Sequence, residues 1–296
     1  MNRRRFLCIA AAATATPVLA ETGAPLTQVW QGTAMGSAAR ITLSGVGAPR
    51  AQRIFAQIAR ELDRIESLFS LHRDSALTRL NRDGRLNWPG ADMLAVFALS
   101  DRVHHATGGA FDPTIQPLWQ ALARGQDPQP ARALLGWPDI RVAPDEIRLP
   151  RPGMALSFNG VAQGYAADRI AALMRGAGLR DVLIDTGEIS ALGGRPDGTP
   201  WRARIETPAG TALRDVALRD RALAVSAPSG TRIGPQGTQA HILDPLGRAP
   251  RWTLAAVAAP SAALADALST GVCVMDRPAI ATALAALPDA EILALI

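Results

Sequence analysis

The chain has 296 residues, enough for a full buried core, with 31 basic and 26 acidic side chains and a formal charge of +5. All of the basic residues counted there are arginine, so Schiff-base lysine chemistry is excluded. Arg3, Arg4 and Arg5 carry three of the positive charges. Without them only about two remain in excess, which gives no electrostatic footprint for nucleic acid.

Residues 1–20 read as an export signal. Arg3-Arg4-Arg5-Phe6-Leu7 precedes a short apolar run from Cys8 to Ala15, and Pro17-Val18-Leu19-Ala20 supplies small residues for cleavage. The Arg-Arg-x-Phe-Leu string points to the twin-arginine route, which exports folded proteins. The expected location is therefore periplasmic, with residues 21–296 forming one domain. Cys8 leaves with the signal and Cys273 stands alone, which excludes an internal disulfide and leaves Cys273 as packing. The four histidines (72, 104, 105 and 241) are too scattered for a zinc motif.

Alternation over 28–44, broken at Gly32 and Gly36, predicts two strands with a turn at Ala34-Met35-Gly36-Ser37. A stripe of Ile54, Ile58, Leu62, Ile65 and Leu68–Phe69 predicts a long amphipathic helix from about Pro49 to Phe69. Asp74 or Ser75 caps a short helix. A further helix runs from Ala91 to Ala106 and stops at Thr107-Gly108-Gly109. The Pro-, Gly- and Arg-rich stretch 124–150 holds one short helix and a hairpin. Leu156 to Asn159 reads as a strand end, followed by a helix over 160–176 and a buried strand over 181–185. Strands follow near 201–206, 214–218, 222–226 and 253–259, then a helix over 261–275 and a last strand over 291–296. Helices and strands without regular alternation indicate an α+β fold.

Several phrases carry candidate chemistry. Asp266 and Thr270 lie one helical turn apart, so a carboxylate and a hydroxyl face the same side, as hard-oxygen ligands of Mg²⁺ do. Asn159-Gly160-Val161-Ala162-Gln163-Gly164-Tyr165 takes the chain through a Gly-containing turn onto a helix N-terminus, a setting that favours anions. Its glycines lack the Rossmann spacing. Core packing is the default for Tyr165, the single tyrosine. The Met35-Gly36-Ser37 turn can bring backbone N–H groups to a ligand. Asp112, in Phe111-Asp112-Pro113-Thr114, can equally hold its own turn together. Ser229-Gly230 and His241-Ile242-Leu243-Asp244-Pro245 complete the set.

In this order and spacing the phrases resemble the ApbE family, the Mg²⁺-dependent FAD:protein FMN transferases, over roughly residues 30–290. The resemblance implies a single compact α+β domain of two lobes, with mixed or antiparallel sheets and a flavin pocket between them. It implies flavin contacts from Met35, Gly36, Ser37, His72, Phe111, Asp112, Gln163, Tyr165, Ser229 and Gly230. It implies Mg²⁺ held by Asp266, Thr270 and the carbonyl of Ala162. His241 and Asp244 would orient or deprotonate a Thr or Ser hydroxyl of an acceptor flavoprotein, a membrane or periplasmic redox protein. That hydroxyl attacks FAD (the substrate) and expels AMP. An exported flavin carrier without transfer and a metal-dependent FAD pyrophosphatase are the competing readings.

Three departures mark this chain. Gln163 stands where the family has lysine, His72 stands near the place of a flavin-packing tyrosine, and Asp185-Thr186-Gly187-Glu188 replaces Gly-Gly-Asn. Together with the signal, the Gln163 turn and Glu188 look like the NosX branch, which is associated with nitrous-oxide reductase maturation.

Overall fold

The structure is a computed structural model that describes residues 26–296; the signal assigned to 1–20 lies outside the described residues. In chain order the first elements are β1 (Thr27–Ala34), β2 (Ser37–Ser44), α1 (Ala48–Phe69), α2 (Ala76–Asp83), β3 (Arg85–Asn87) and α3 (Ala91–Ala106). A 3₁₀ turn at Pro113–Ile115 leads into α4 (Gln116–Arg124) and α5 (Gln129–Arg132), and a second at Trp137–Asp139 precedes β4 (Arg141–Val142) and β5 (Glu146–Arg148). Then come α6 (Ala162–Gly176), β6 (Val182–Asp185), β7 (Ile189–Leu192), β8 (Trp201–Glu206), β9 (Ala212–Leu218) and β10 (Arg221–Ser226). The chain ends with β11 (Arg232–Ile233), β12 (Gln239–Ala240), β13 (Ala255–Ala259), α7 (Ala262–Val272), α8 (Arg277–Ala286) and β14 (Glu291–Leu295).

The frame is a seven-stranded antiparallel sheet in the order β1-β2-β6-β7-β10-β13-β14. Its alternation sends one set of side chains to each face. Ile41, Leu43, Val182, Ile184, Ala224 and Val257 share one core with α1, α3, α6 and α7. Leu183, Ile189, Ala191, Leu223, Val225 and Ala256 form a second core under the β8–β9 ribbon. Of the stripe read from the sequence, Ile54, Ile58, Leu62, Ile65 and Phe69 are buried on α1 and Leu68 is partly buried against the same core. Cys273 is buried, its thiol pushed up to about 12 by burial, and it donates to the Ser269 carbonyl at 3.3 Å, the behaviour of a packing residue.

α2 and the three-stranded sheet β3-β5-β4 join the first core through Leu77, Leu80 and Ile147, while α4 and α5 pack on each other beside it. Leu118, Ala121 and Ala131 make a satellite core there, and Leu243 from the His241 segment packs into it. The α+β architecture agrees with expectation. Leu156 to Asn159 does not, because it forms no strand. The Asn81 side chain takes the place of a neighbouring strand, accepting from the Leu156 N–H at 2.7 Å and donating to its carbonyl at 2.9 Å. No helix among the described residues is long and apolar enough to cross a membrane.

Candidate active site

The β1–β2 hairpin closes through the two residues Met35 and Gly36, both in the left-handed region at φ 48° and 77°. Paired positive φ values match the right-handed twist of the flanking strands. Glycine adopts such a value freely, whereas methionine is there at a cost. Ser37, the first residue of β2, accepts a hydrogen bond from Gln163 Nε2 at 2.9 Å. The same amide reaches the Thr186 carbonyl at 3.4 Å, and Thr186 Oγ1 donates back to the Gln163 carbonyl at 3.2 Å. A Cβ on Gly187 (φ 100°) would stand 2.6 Å from Gln163 Nε2, so the tight β6–β7 turn needs glycine here. Gln163 thus joins the first hairpin, the β6–β7 turn and the start of α6. Its neutral amide serves these carbonyl and hydroxyl partners without an ammonium.

Helices α6 and α7 meet at glycine. A Cβ on Gly164 would collide with the Ala262 carbonyl, and its absence lets the Gly164 N–H reach Asp266 Oδ2 at 3.1 Å. A Cβ on Gly160 would lie 2.8 Å from Thr270 Oγ1. Asp168 fixes the start of α7 by accepting from Ser261 Oγ at 2.7 Å and from the Ala262 and Ala263 N–H groups at 2.8 and 3.0 Å. Burial outweighs these bonds and raises the Asp168 carboxyl above its ordinary range. The sequence reading assigned Asp168 no role; its signal was its place four residues after Gly164 on the face turned to α7.

Asp266 and Thr270 sit on one face of α7, as their spacing predicts. Asp266 is buried, with one N–H partner and no basic side chain paired with it. Burial, with the nearby Asp168 charge adding to it, pushes its carboxyl up to about 7 against the Gly164 hydrogen bond. Glu188 is also buried and pairs with no arginine among the described residues; its Oε2 accepts from the Val225 N–H at 3.3 Å. Burial and the Asp266 charge hold Glu188 well above the carboxylate range. Asp185 is pushed up to about 6 by burial, which the Gly187 N–H and Arg40 partly oppose. Ser226 completes this floor, with its hydroxyl 2.8 Å from Ser269 Oγ and 3.4 Å from Thr270 Oγ1. Its signal was its position at the end of an apolar strand, ahead of Pro228.

A buried carboxylate beside a hydroxyl, with negative neighbours and no arginine partner, has the donor chemistry of a hard divalent cation. Asp266 and Thr270 are the residues that fit it, and the Ala162 carbonyl expected with them stands at the first residue of α6. Among the described residues no three His, Cys, Asp or Glu side chains converge as a ready-made metal cluster. Completion of a shell there falls to hydroxyl, carbonyl and ligand oxygens.

His241 donates from Nδ1 to the Pro228 carbonyl at 2.9 Å and the Thr231 carbonyl at 3.1 Å. Two carbonyl partners fix the proton on Nδ1 and leave Nε2 as an acceptor. Burial pulls the imidazole below its ordinary range, so it is neutral at pH 7. Asp244 does not pair with it. The buried Asp244 carboxylate accepts from the Leu246 N–H and from Arg248 Nε. Asp244, expected with His241 at the acceptor hydroxyl, here builds the turn that follows the histidine.

Most of the remaining expected contacts have partners within the protein. Phe111 is buried and packs near Gly271 of α7, and its carbonyl accepts from His104 Nδ1 at 2.9 Å. Asp112 caps the 3₁₀ turn through Thr114, its Oδ1 accepting from the N–H at 2.8 Å and from Oγ1 at 2.6 Å. Tyr165 packs edge-on against Phe69 and donates its hydroxyl to Asp92 at 2.6 Å, inside a charged network with Arg64, Arg169 and Glu61. This is the packing role that is its default. His72 is exposed, and its N–H reaches Ser70 Oγ at 3.1 Å. Ser229 is exposed and Gly230 is buried in the turn that supports His241.

The fold and site together define an α+β protein with a hard-oxygen helix, a neutral histidine loop and a two-residue hairpin turn. The sequence profile of the ApbE family matches residues 35–294, and this chain belongs to that family. It is 30% identical over 290 residues to the FAD:protein FMN transferase of Salmonella typhimurium, covering 86% of this chain and 80% of that one. The crystal structure of the Pseudomonas stutzeri flavinyl transferase ApbE in its apo form superposes with a TM-score of 0.75 at 25% identity, covering 90% and 89% of the two chains. The ApbE protein of Thermotoga maritima gives a TM-score of 0.78 over 91% and 94%; at 20% identity it speaks to the fold alone.

Proposed function

We propose that this protein is an exported, Mg²⁺-dependent enzyme that transfers FMN from FAD to a Thr or Ser hydroxyl of an extracytoplasmic flavoprotein and releases AMP. The acceptor is a membrane or periplasmic redox protein, and export follows the twin-arginine route suggested by Arg3-Arg4-Arg5-Phe6-Leu7. Family membership and the names of the relatives support flavin transfer. The observation that carries the chemistry is His241, a neutral imidazole whose tautomer is set by two carbonyls and whose Nε2 is left to accept a proton.

In this reading His241 Nε2 takes the proton from the acceptor hydroxyl as its oxygen attacks the FMN phosphorus. The new P–O bond forms while the bond to the AMP phosphate oxygen breaks, and AMP leaves. Asp266, Thr270 and the Ala162 carbonyl would hold Mg²⁺, which neutralises charge on the pyrophosphate when bound. Gln163 keeps the Met35-Gly36 turn in register with α6, where the flavin would lie.

The test incubates the purified protein with FAD, Mg²⁺ and a flavoprotein fragment that carries a Ser/Thr-Gly-Ala-Thr type of acceptor site. Intact mass is read with and without EDTA. A Mg²⁺-dependent gain of one FMN on the fragment, with AMP released, supports the enzyme. Tight flavin binding with no modification of several acceptors replaces it with a carrier, and FMN plus AMP formed without an acceptor replaces it with a pyrophosphatase.

A further inference from the structure

Four arginine–carboxylate pairs in this protein are two-pronged: Arg64 with Glu61, Arg82 with Asp83, Arg148 with Glu146 and Arg204 with Asp215 each use Nε and an Nη. Arg248 is held differently. Only its Nε reaches Asp244 Oδ2, and Asp244 Oδ1 accepts from the Leu246 N–H at 2.9 Å. The Asp244 side chain is fully buried while that of Arg248 is 53% exposed. Neither Nη of Arg248 has a hydrogen-bond partner among the described residues. A buried carboxylate therefore fixes the guanidinium plane through one nitrogen. It leaves unpaired the edge that grips an oxyanion with two parallel bonds.

The segment that carries Arg248 is the one that carries His241. The Gly247 N–H donates to the Asp244 carbonyl at 2.8 Å, and Gly247 takes φ 81° to make that turn. Arg132 of α5 lies against Gly247 and reaches the Pro245 carbonyl at 3.5 Å. Leu243 is seated in the small core of α4 and α5. These contacts carry His241, Asp244 and Arg248 as one anchored unit. The other acid that bears on Arg248 is Asp276, whose carboxylate is engaged at the Ala279 N–H as the cap of α8. With no lysine in the chain, cationic contact to a phosphate falls to arginine.

We propose that Arg248, oriented by Asp244, is a phosphate-binding residue of this site, its Nη edge receiving an oxygen of the FAD pyrophosphate. The inference rests on the reading that the site takes FAD. It gives Asp244 a positioning role: the carboxylate aims the guanidinium, and the proton transfer is left to His241.

The test is equilibrium binding of FAD, ADP and riboflavin to the full protein and to Arg248→Gln and Arg248→Lys. Arg248→Gln is expected to weaken FAD and ADP about tenfold or more, the loss of a charge-assisted pair, with riboflavin unchanged and Arg248→Lys in between. Because Arg248→Gln strands a buried carboxylate, the double variant Asp244→Asn/Arg248→Gln is measured beside it and must show the same phosphate-selective loss. FAD affinity equal to wild type, or an equal loss for riboflavin, overturns the proposal. Wild-type protein that binds FAD in an Arg248-dependent way but modifies no acceptor keeps this inference and overturns the transferase reading. FMN transfer at full rate by Arg248→Gln, with FAD affinity intact, does the reverse.

Discussion

Gln163 Nε2 donates to Ser37 Oγ at 2.9 Å across 126 positions of sequence, and this bond ties the first hairpin to the start of α6. The turn it steadies holds methionine at a positive φ, a conformation that reverts readily unless its surroundings enforce it. Replacing Gln163 with alanine removes the donor to both Ser37 and the Thr186 carbonyl. The expected cost is about 1–3 kcal/mol for partly buried groups left unpaired. Hydrogen exchange at residues 35–37 should rise while that of β13 and α7 stays unchanged. Equal protection at the hairpin would show that the bond holds nothing in place.

The α6–α7 contact makes a sharper test, because two glycines along it respond differently to the same substitution. Gly164→Ala drives a methyl into the Ala262 backbone, which can yield only by moving a helix. A loss of about 1–3 kcal/mol is expected, read as a lower thermal midpoint. Gly160→Ala presses on the Thr270 side chain instead, at 2.8 Å from its hydroxyl. Its Cγ2 and Cβ stand at 3.1 and 3.3 Å, so the threonine must shift by a few tenths of an ångström; the midpoint should fall less than in Gly164→Ala while the response to Mg²⁺ weakens. If both variants melt together, Thr270 is merely packing.

The sequence shows the elements that obey a single periodicity and hides those that depend on a distant partner. The stripe of α1 and the alternation of β1 and β2 are legible because one face of each is buried. β7 escaped notice because all four of its residues are buried, which erases alternation, and α8 because its alanine-rich stretch carries little contrast. Asn81 mimics a strand for Leu156 from 75 positions away, so local pattern alone produces a false strand there. The pairing of Asp266 with Thr270 was visible as helical spacing. The attachment of Asp244 to Arg248 was not, since any Asp-Pro turn after a histidine invites a catalytic reading. Asp168 gained meaning only when α7 was laid against α6, and Glu188, visible as a departure in the sequence, showed its burial beside Asp266 only in the fold.

Asp266 bears directly on metal binding. Its buried carboxylate has one hydrogen-bond partner and acidic neighbours, so without a cation its charge destabilises the fold. Asp266→Asn keeps an acceptor for the Gly164 N–H and removes that charge. In EDTA at pH 8 the variant should melt at or above the wild-type temperature, by about 1–3 kcal/mol of relieved desolvation at most. Added Mg²⁺ should raise the midpoint of the wild type and leave that of Asp266→Asn unmoved. Equal Mg²⁺ responses would remove Asp266 from the metal site.

His241 sets the expected pH dependence. Its imidazole sits below the ordinary value of 6.5 because burial disfavours the cation, while the two carbonyl bonds oppose that shift only in part. A base must be unprotonated, so activity is retained above 6.5 and lost as pH falls through the lowered pKa of the folded protein. Stability has the same sign. The unfolded histidine binds its proton first as pH drops below 6.5, so the folded state loses ground from there down to its own pKa. With Mg²⁺ saturating, so that Asp266 stays ionised, the rate of FMN transfer should therefore be flat from pH 7 to 8 and fall on the acid side at a value below 6.5. His241→Ala should leave FAD affinity near wild type and slow transfer by about 10²–10⁴-fold, the span of a positioned general base. The acid limb should vanish from whatever activity remains. An acid limb that persists in His241→Ala belongs to another group, and transfer at the wild-type rate removes the histidine from the reaction.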